Sequence, residues 1–145
     1  MKAKLDRYTD DKGVTMVAKC PSRAHSTDAG LDLYAMHGGI VRAHQAATFH
    51  TGVHVELPKG TAGVMLPKSG LMVNRDILTF GVIDESYRGE ILVHAFNLGN
   101  DDYTVRAGDK LTQMLIIPVL YEQVEVVDEL SYGERGVNGF GSSGR

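Results

Sequence analysis

The chain has 145 residues, with 15 Lys and Arg against 18 Asp and Glu, a formal net charge of −3 and a pI near 6.0. That suits one domain with its own core, and it excludes the basic footprint of a dedicated nucleic-acid binder while leaving room for a small anionic ligand. One cysteine, Cys20, excludes an internal disulfide; with no signal-like N-terminus and no apolar run near about 20 residues, the expectation is a soluble, cytoplasmic protein without membrane contact.

In chain order, Asp10-Asp11-Lys12-Gly13 predicts a turn and Val14 to Val17 a short strand. The run Ser26-Thr27-Asp28-Ala29-Gly30-Leu31-Asp32-Leu33-Tyr34 predicts a turn at Gly30, with Asp28 and Asp32 bonding to local backbone. From Phe49 to Leu57, Phe49, Val53, Val55 and Leu57 alternate with His50, His54 and Glu56, which predicts one half-buried strand closed by a Pro58-Lys59-Gly60 turn. His50 and His54 would lie about 13 Å apart on such a strand. They cannot share one ion, so a transition-metal site is not expected.

Pro67-Lys68-Ser69-Gly70 precedes Leu71-Met72-Val73-Asn74, long enough for a short helix with Ser69 as its N-cap. A lysine, a hydroxyl and free amides there make either a simple capped turn or an anion cradle. The next stretch, Gly81-Val82-Ile83-Asp84-Glu85-Ser86-Tyr87-Arg88-Gly89, sets a carboxylate directly after two β-branched residues, which is costly unless the ion has a partner or a task. Asp84 and Glu85 are adjacent and so point to opposite faces of an extended chain; they are not a catalytic pair. Either the stretch is an exposed turn, or it is a hairpin tip with Asp84 on its wall and the Tyr87 ring beneath.

Glu90 to Leu98 and Lys110 to Leu120 predict strands apolar on both faces, with Leu111, Gln113, Leu115, Ile117 and Val119 on one side of the second. A single sandwich covers such a strand poorly, so an oligomer is expected. Between them Gly99-Asn100-Asp101-Asp102 predicts a turn into Tyr103 to Arg106, and Gln123 to Leu130 predicts a last alternating strand. No long window has helical periodicity, and the class is an all-β sandwich or barrel with one short helix. The final residues, Arg135 to Arg145, hold four glycines and read by composition as a disordered tail. A ring, Phe140, between glycines, with Arg135 before it and Ser142 and Ser143 after it, also suits a flap that closes over a flat, phosphorylated ligand.

Taken in order, Asp28 to Leu33, Pro67 to Leu71, Gly81 to Gly89, Gly108-Asp109-Lys110-Leu111-Thr112-Gln113 and Arg135 to Gly144 resemble the motifs of the trimeric deoxyuridine triphosphatase (dUTPase) family. The resemblance implies a jelly-roll homotrimer with sites shared between subunits, residues 1–134 forming the domain and 135–145 a flap over a neighbour's site. It implies hydrolysis of dUTP to dUMP and pyrophosphate with Mg²⁺, which keeps uracil out of DNA and supplies dUMP for dTMP synthesis. Asp84 would be the general base, and Tyr87 would exclude a 2′-hydroxyl. The backbone at Leu78, Val82 and Ile83 would read uracil; Lys68, Ser69, Gly70 and Gln113 would hold phosphates. Phe140 would stack on the base, while Arg135, Gly141, Ser142 and Ser143 would close over the triphosphate. Asp28 and Asp32 would support from behind. The metal would have no direct protein ligand, being held by phosphates and water.

Two positions depart from the pattern. Lys68 stands where arginine is common, so a point charge replaces a fork, and Ser86 stands where a second aspartate is frequent. The rival readings are a dCTP deaminase of the same fold, which would need a glutamate that Pro67-Lys68-Ser69-Gly70 lacks, and a non-catalytic nucleotide-binding or regulatory module.

Overall fold

Antiparallel pairing organises the chain, as short apolar runs between turn residues predict. The computed structural model describes residues 1–137, and among them lie thirteen β-strands and one α-helix. Strand β1 (Lys2–Leu5) pairs with β7 (Val53–Glu56), and β2 (Arg7–Thr9) with β3 (Thr15–Val17). Between the latter, the Asp10 carboxylate accepts the amides of Lys12 and Val14, and Gly13 takes φ +78°, so the expected turn forms. A four-stranded sheet runs in the order β10 (Gly81–Ile83), β8 (Thr61–Leu66), β13 (Lys110–Pro118), β4 (Leu31–Tyr34). A three-stranded sheet has β6 (Ala46–His50), β11 (Leu92–Asn97) and β9 (Ile77–Thr79), and β5 (Gly39–Val41) pairs with β12 (Tyr103–Val105).

The two larger sheets turn their apolar faces toward one core, as a sandwich does. Leu31, Leu33, Met65, Ile83 and Met114 come from the first sheet, and Phe49, Ile77, Val93 and Ala95 from the second. This is the all-β, jelly-roll-like architecture with a single short helix, α1 (Ser69–Arg75). No helix among the described residues is long and apolar enough to cross a membrane.

Several local expectations fail for physical reasons. The run from Phe49 to Leu57 is two strands rather than one: Gly52 adopts φ +64°, and the Thr51 hydroxyl donates to the Ile91 carbonyl at 2.6 Å while accepting the Val53 amide at 3.1 Å. Its apolar side stays buried because Phe49 and Val53 are still four residues apart. In β13 the pairing shifts between Lys110 and Thr112, leaving Leu111 as the extra residue of a bulge. Leu111 therefore buries beside Met114 instead of sharing the outer face with Leu115. The strand expected from Gln123 to Leu130 is absent, and Val124, Val126 and Leu130 are each about 90% exposed.

The outer face of the four-stranded sheet is apolar, as the sequence of β13 implies. Val82, Val64 and Leu115 form one cross-strand row, with Ile117 nearby. Val82 is 65% exposed and Ile117 39% in the single chain.

Candidate active site

Asp84 leaves the end of β10, whose last residue, Ile83, is anchored in the core opposite Gly63. The chain turns at once, with the Tyr87 amide donating to the Asp84 carbonyl at 3.1 Å. Sequence patterning suggested a hairpin here, and the structure corrects it. β10 pairs with β8, whereas the strand after the turn, β11, joins β6 and β9. The stretch is a crossing between sheets, and side chains rather than a ladder hold its shape. One Nη of Arg88 donates to the carbonyls of Glu85 and Tyr87 at 2.6 and 2.9 Å. The Tyr87 hydroxyl donates to the Glu90 carbonyl at 3.0 Å. Its ring lies so close to Gly89 that a Cβ there would stand 2.3 Å from the hydroxyl oxygen, which explains the glycine.

The two adjacent carboxylates have different tasks. Glu85 accepts the Gly60 amide at 2.6 Å and the Tyr121 hydroxyl at 2.9 Å. The amide, then the hydroxyl, hold its carboxyl below the usual range, and Glu85 in turn pushes the Tyr121 phenol up. Asp84 is exposed, and among the described residues its carboxylate has no hydrogen-bond or ion-pair partner. It faces an open depression of about 410 Å³ with Thr61, Ala62, Ser86, Val119 and Tyr121. An unencumbered carboxylate on a locked turn can hold a water and accept its proton.

The phosphate-type residues gather at the other end of β8. Helix α1 begins at Ser69, so Lys68 rather than Ser69 is the N-cap. Its carbonyl accepts the amides of Leu71 and Met72, which leaves Ser69 and Gly70 exposed on the first turn. The Lys68 ammonium lies 2.5 Å from one oxygen of Asp32, and Lys110 lies 2.7 Å from the other. Burial pushes the Asp32 carboxyl up, but Lys110 and Lys68 outweigh it and the group sits below its ordinary value. Asp32 is thus not bonded to local backbone through its side chain, as the sequence suggested. It is a buried anchor for two cations. Asp28 does cap its own turn, accepting the His25 amide at 2.9 Å.

Gln113 donates to the Pro67 carbonyl at 3.2 Å, and its Cβ would lie 2.8 Å from any Cβ at Gly30. Gly30 is small to admit Gln113, not to make a turn. Lys110, quoted within a motif but given no task, is the residue that sequence reasoning missed; its proximity to Asp32 follows from the β4–β13 register, which the sequence does not display. Leu78 sits in β9 and is partly exposed, and Val82 lies on the outer apolar face. Arg135 is exposed. Phe140, Gly141, Ser142 and Ser143 lie outside the described residues.

The two groups do not meet within one chain. Asp84 lies beside Ala62 and Gln113 pairs with Leu66, four strand steps apart, or about 13 Å at 3.3 Å per residue.

The dUTPase family model matches residues 17–144. The deoxyuridine 5'-triphosphate nucleotidohydrolase of Clostridium acetobutylicum is 41% identical over 136 residues, covering 92% of this chain and 94% of the relative. That of Rattus norvegicus is 36% identical over 149 residues, covering 99% of this chain and 73% of the relative. Among solved structures, a Staphylococcus bacteriophage 80alpha dUTPase mutant with dUpNHpp superposes with a TM-score of 0.84 at 23% identity, covering 99% of each chain. A mutant dUTPase from phage phi11 of S. aureus, described with a structural Mg(II) ion, gives 0.75 at 22% identity, covering 91% of this chain and all of that one. These two carry the fold, and the match of the family model together with the curated relatives carries the assignment: the chain belongs to the dUTPase family.

Proposed function

We propose that the chain hydrolyses dUTP to dUMP and pyrophosphate, with Asp84 drawing a proton from the water that attacks the α-phosphorus. The observation that carries this is the contrast at the turn: the side chains of Glu85, Tyr87 and Arg88 are tied down, while the Asp84 carboxylate is left open to solvent. Proton transfer from water to Asp84 balances the attack, the bond to the bridging oxygen breaks, and pyrophosphate leaves. A general base of this kind contributes about 10²–10⁴ in rate.

In this reading Leu78, Val82 and Ile83 present backbone to uracil, and Tyr87 lies against the deoxyribose, leaving no space for a 2′-hydroxyl. Ser69, Gly70 and Gln113 bind phosphates. Lys68 and Lys110, held on Asp32, supply positive charge beside them in place of a guanidinium fork. Base and cradle lie four strand steps apart in one chain, and the apolar outer face calls for a neighbour; in this reading each site takes Asp84 from one subunit and the cradle from another. In this reading the apolar row Val82–Val64–Leu115, exposed at Val82 and half-buried at the other two, is the face that the homotrimer buries. Residues 135–145 act as a flap, Phe140 stacking on uracil and Arg135, Gly141, Ser142 and Ser143 closing over the triphosphate.

Among the described residues no three His, Cys, Asp or Glu side chains converge on an ion position. In this reading magnesium would be carried by the triphosphate and water, and would neutralise phosphate charge there.

Pyrophosphate release from dUTP, measured beside dCTP, dTTP and UTP, tests the reading. The expected result is rapid release from dUTP and far slower release from the others. Equal rates on UTP would remove the proposed role of Tyr87, and deamination of dCTP would favour the rival enzyme of this fold.

A further inference from the structure

Outside the family motifs, His54 on β7 makes two contacts that only one protonation state satisfies. Its Nε2 lies 2.8 Å from Oδ2 of Asp6, and its Nδ1 lies 3.0 Å from the Arg88 carbonyl. A carboxylate and a carbonyl both accept and neither donates. Both ring nitrogens must therefore carry protons, which makes the ring an imidazolium. The Arg88 carbonyl belongs to the residue whose guanidinium holds the carbonyls of Glu85 and Tyr87. His54 thus grips from below the residue that shapes the Asp84 turn.

We propose that His54, as an imidazolium clamped between Asp6 and the Arg88 carbonyl, is a positioning residue for the catalytic turn and makes turnover depend on its ionisation. The inference rests on the reading of Asp84 as the general base.

The charges around the ring are consistent with a cation. From the N-terminal side, Asp6 faces it, with Lys4 sharing that carboxylate through Oδ1 at 3.2 Å; Lys4 is also the cross-strand partner of His54. On its own strand Glu56 is engaged by Lys2 at 3.0 Å. From the turn side come Arg88 and Glu90, the latter occupied by His50 at 2.8 Å and the Gly52 amide at 2.7 Å. The Asp6 hydrogen bond, then the Arg88 carbonyl, raise the His54 pKa above its ordinary 6.5 against the opposing effects of burial and of the Lys4 charge. The sign follows. The clamp is fully present below the unfolded value of 6.5 and is lost as pH rises through the higher folded value. When the ring is neutral, one nitrogen presents a lone pair to an acceptor, and one arm opens.

The test compares kcat for dUTP across pH in the wild type, His54→Gln and Asp6→Asn. Glutamine offers a donor that does not titrate, so the ratio of wild-type to His54→Gln kcat should be about five- to tenfold near pH 6, the worth of one hydrogen bond. It should close toward unity as pH rises past the His54 ionisation, a change that limbs common to both proteins cannot produce. For Asp6→Asn the same closure should come at lower pH, because the carboxylate that favours the cation is gone. A ratio that is flat with pH, or within about twofold throughout, would overturn the proposal. If the wild type releases no pyrophosphate from dUTP, it is the hydrolase reading that fails. The clamp is then decided by the ¹⁵N resonances of the His54 ring followed across pH: a midpoint above 6.5 with both nitrogens protonated below it upholds the clamp, and a midpoint at or below 6.5 sinks it.

Discussion

Asp84 and Glu85 differ by one methylene and one position, yet the fold gives them opposite tasks. Glu85 is spent on the Gly60 amide and the Tyr121 hydroxyl, so it ties the turn to the start of β8 and to the segment after β13. Asp84 is left with solvent. Replacing Asp84 by Asn preserves volume and removes the basic lone pair; kcat should fall by about 10²–10⁴ while dUTP affinity and melting temperature stay near wild type. Equilibrium binding of a non-hydrolysable dUTP analogue beside single-turnover rates checks both halves, and a kcat near wild type would move the base elsewhere. The same replacement at Glu85 should do the reverse in part: it weakens two hydrogen bonds that shape the turn, so stability and rate decline together. The sequence singled out Asp84 as the proposed base only through the family pattern. Nothing in an Asp-Glu dipeptide tells which carboxylate will find an amide, because Gly60 and Tyr121 approach from 25 and 36 residues away.

At the scale of elements, alternation revealed the run from Phe49 to Leu57 because one of its faces is buried, whereas β1, β2, β4, β5, β8 and β9 had no expected strand behind them. It failed where the backbone departs from a period of two. Gly52 breaks one strand at a positive φ, and Leu111 bulges from another. The Gly81–Gly89 stretch looked like a hairpin because turn residues sit between apolar runs; which sheet each flank joins is a matter of long-range pairing that local pattern does not carry. One glycine makes room for side chains of the strands on either side of it. At Gly63 in β8, a Cβ would stand 2.8 Å from the Met114 sulfur and 3.3 Å from the Ile83 Cβ. Ile83 immediately precedes Asp84, the proposed base, so crowding here presses on the strand that delivers it. Gly63→Ala should lower stability by about 1–3 kcal/mol, the usual cost of overpacking, seen as a lower urea midpoint at unchanged slope. A fully stable variant would mean that Met114, a flexible side chain, moves aside without cost.

At the scale of the molecule, two features of the single chain point to the same remedy. Its outer sheet face exposes Val82 and Ile117, and its proposed base and proposed phosphate cradle stand at opposite ends of β8. Three copies around an axis can bury the face and bring one subunit's Asp84 to the next subunit's Ser69 and Gln113. Light scattering should then report three times 15.8 kDa. Mass alone does not test the sharing of sites, but mixing does. A chain carrying Asp84→Asn keeps its cradle, and a chain carrying Gln113→Ala keeps its base; each alone should be nearly inactive. Unfolded together in equal amounts and refolded, they form trimers in which a site works when a sound base meets a sound cradle from the neighbour. For random mixing in a cyclic trimer that is about one site in four. Recovery of about a quarter of wild-type turnover is the expected outcome. If both halves of the site came from one chain, every site in the mixture would carry one defect and no activity would return, so the absence of recovery in properly mixed trimers would refute the shared site.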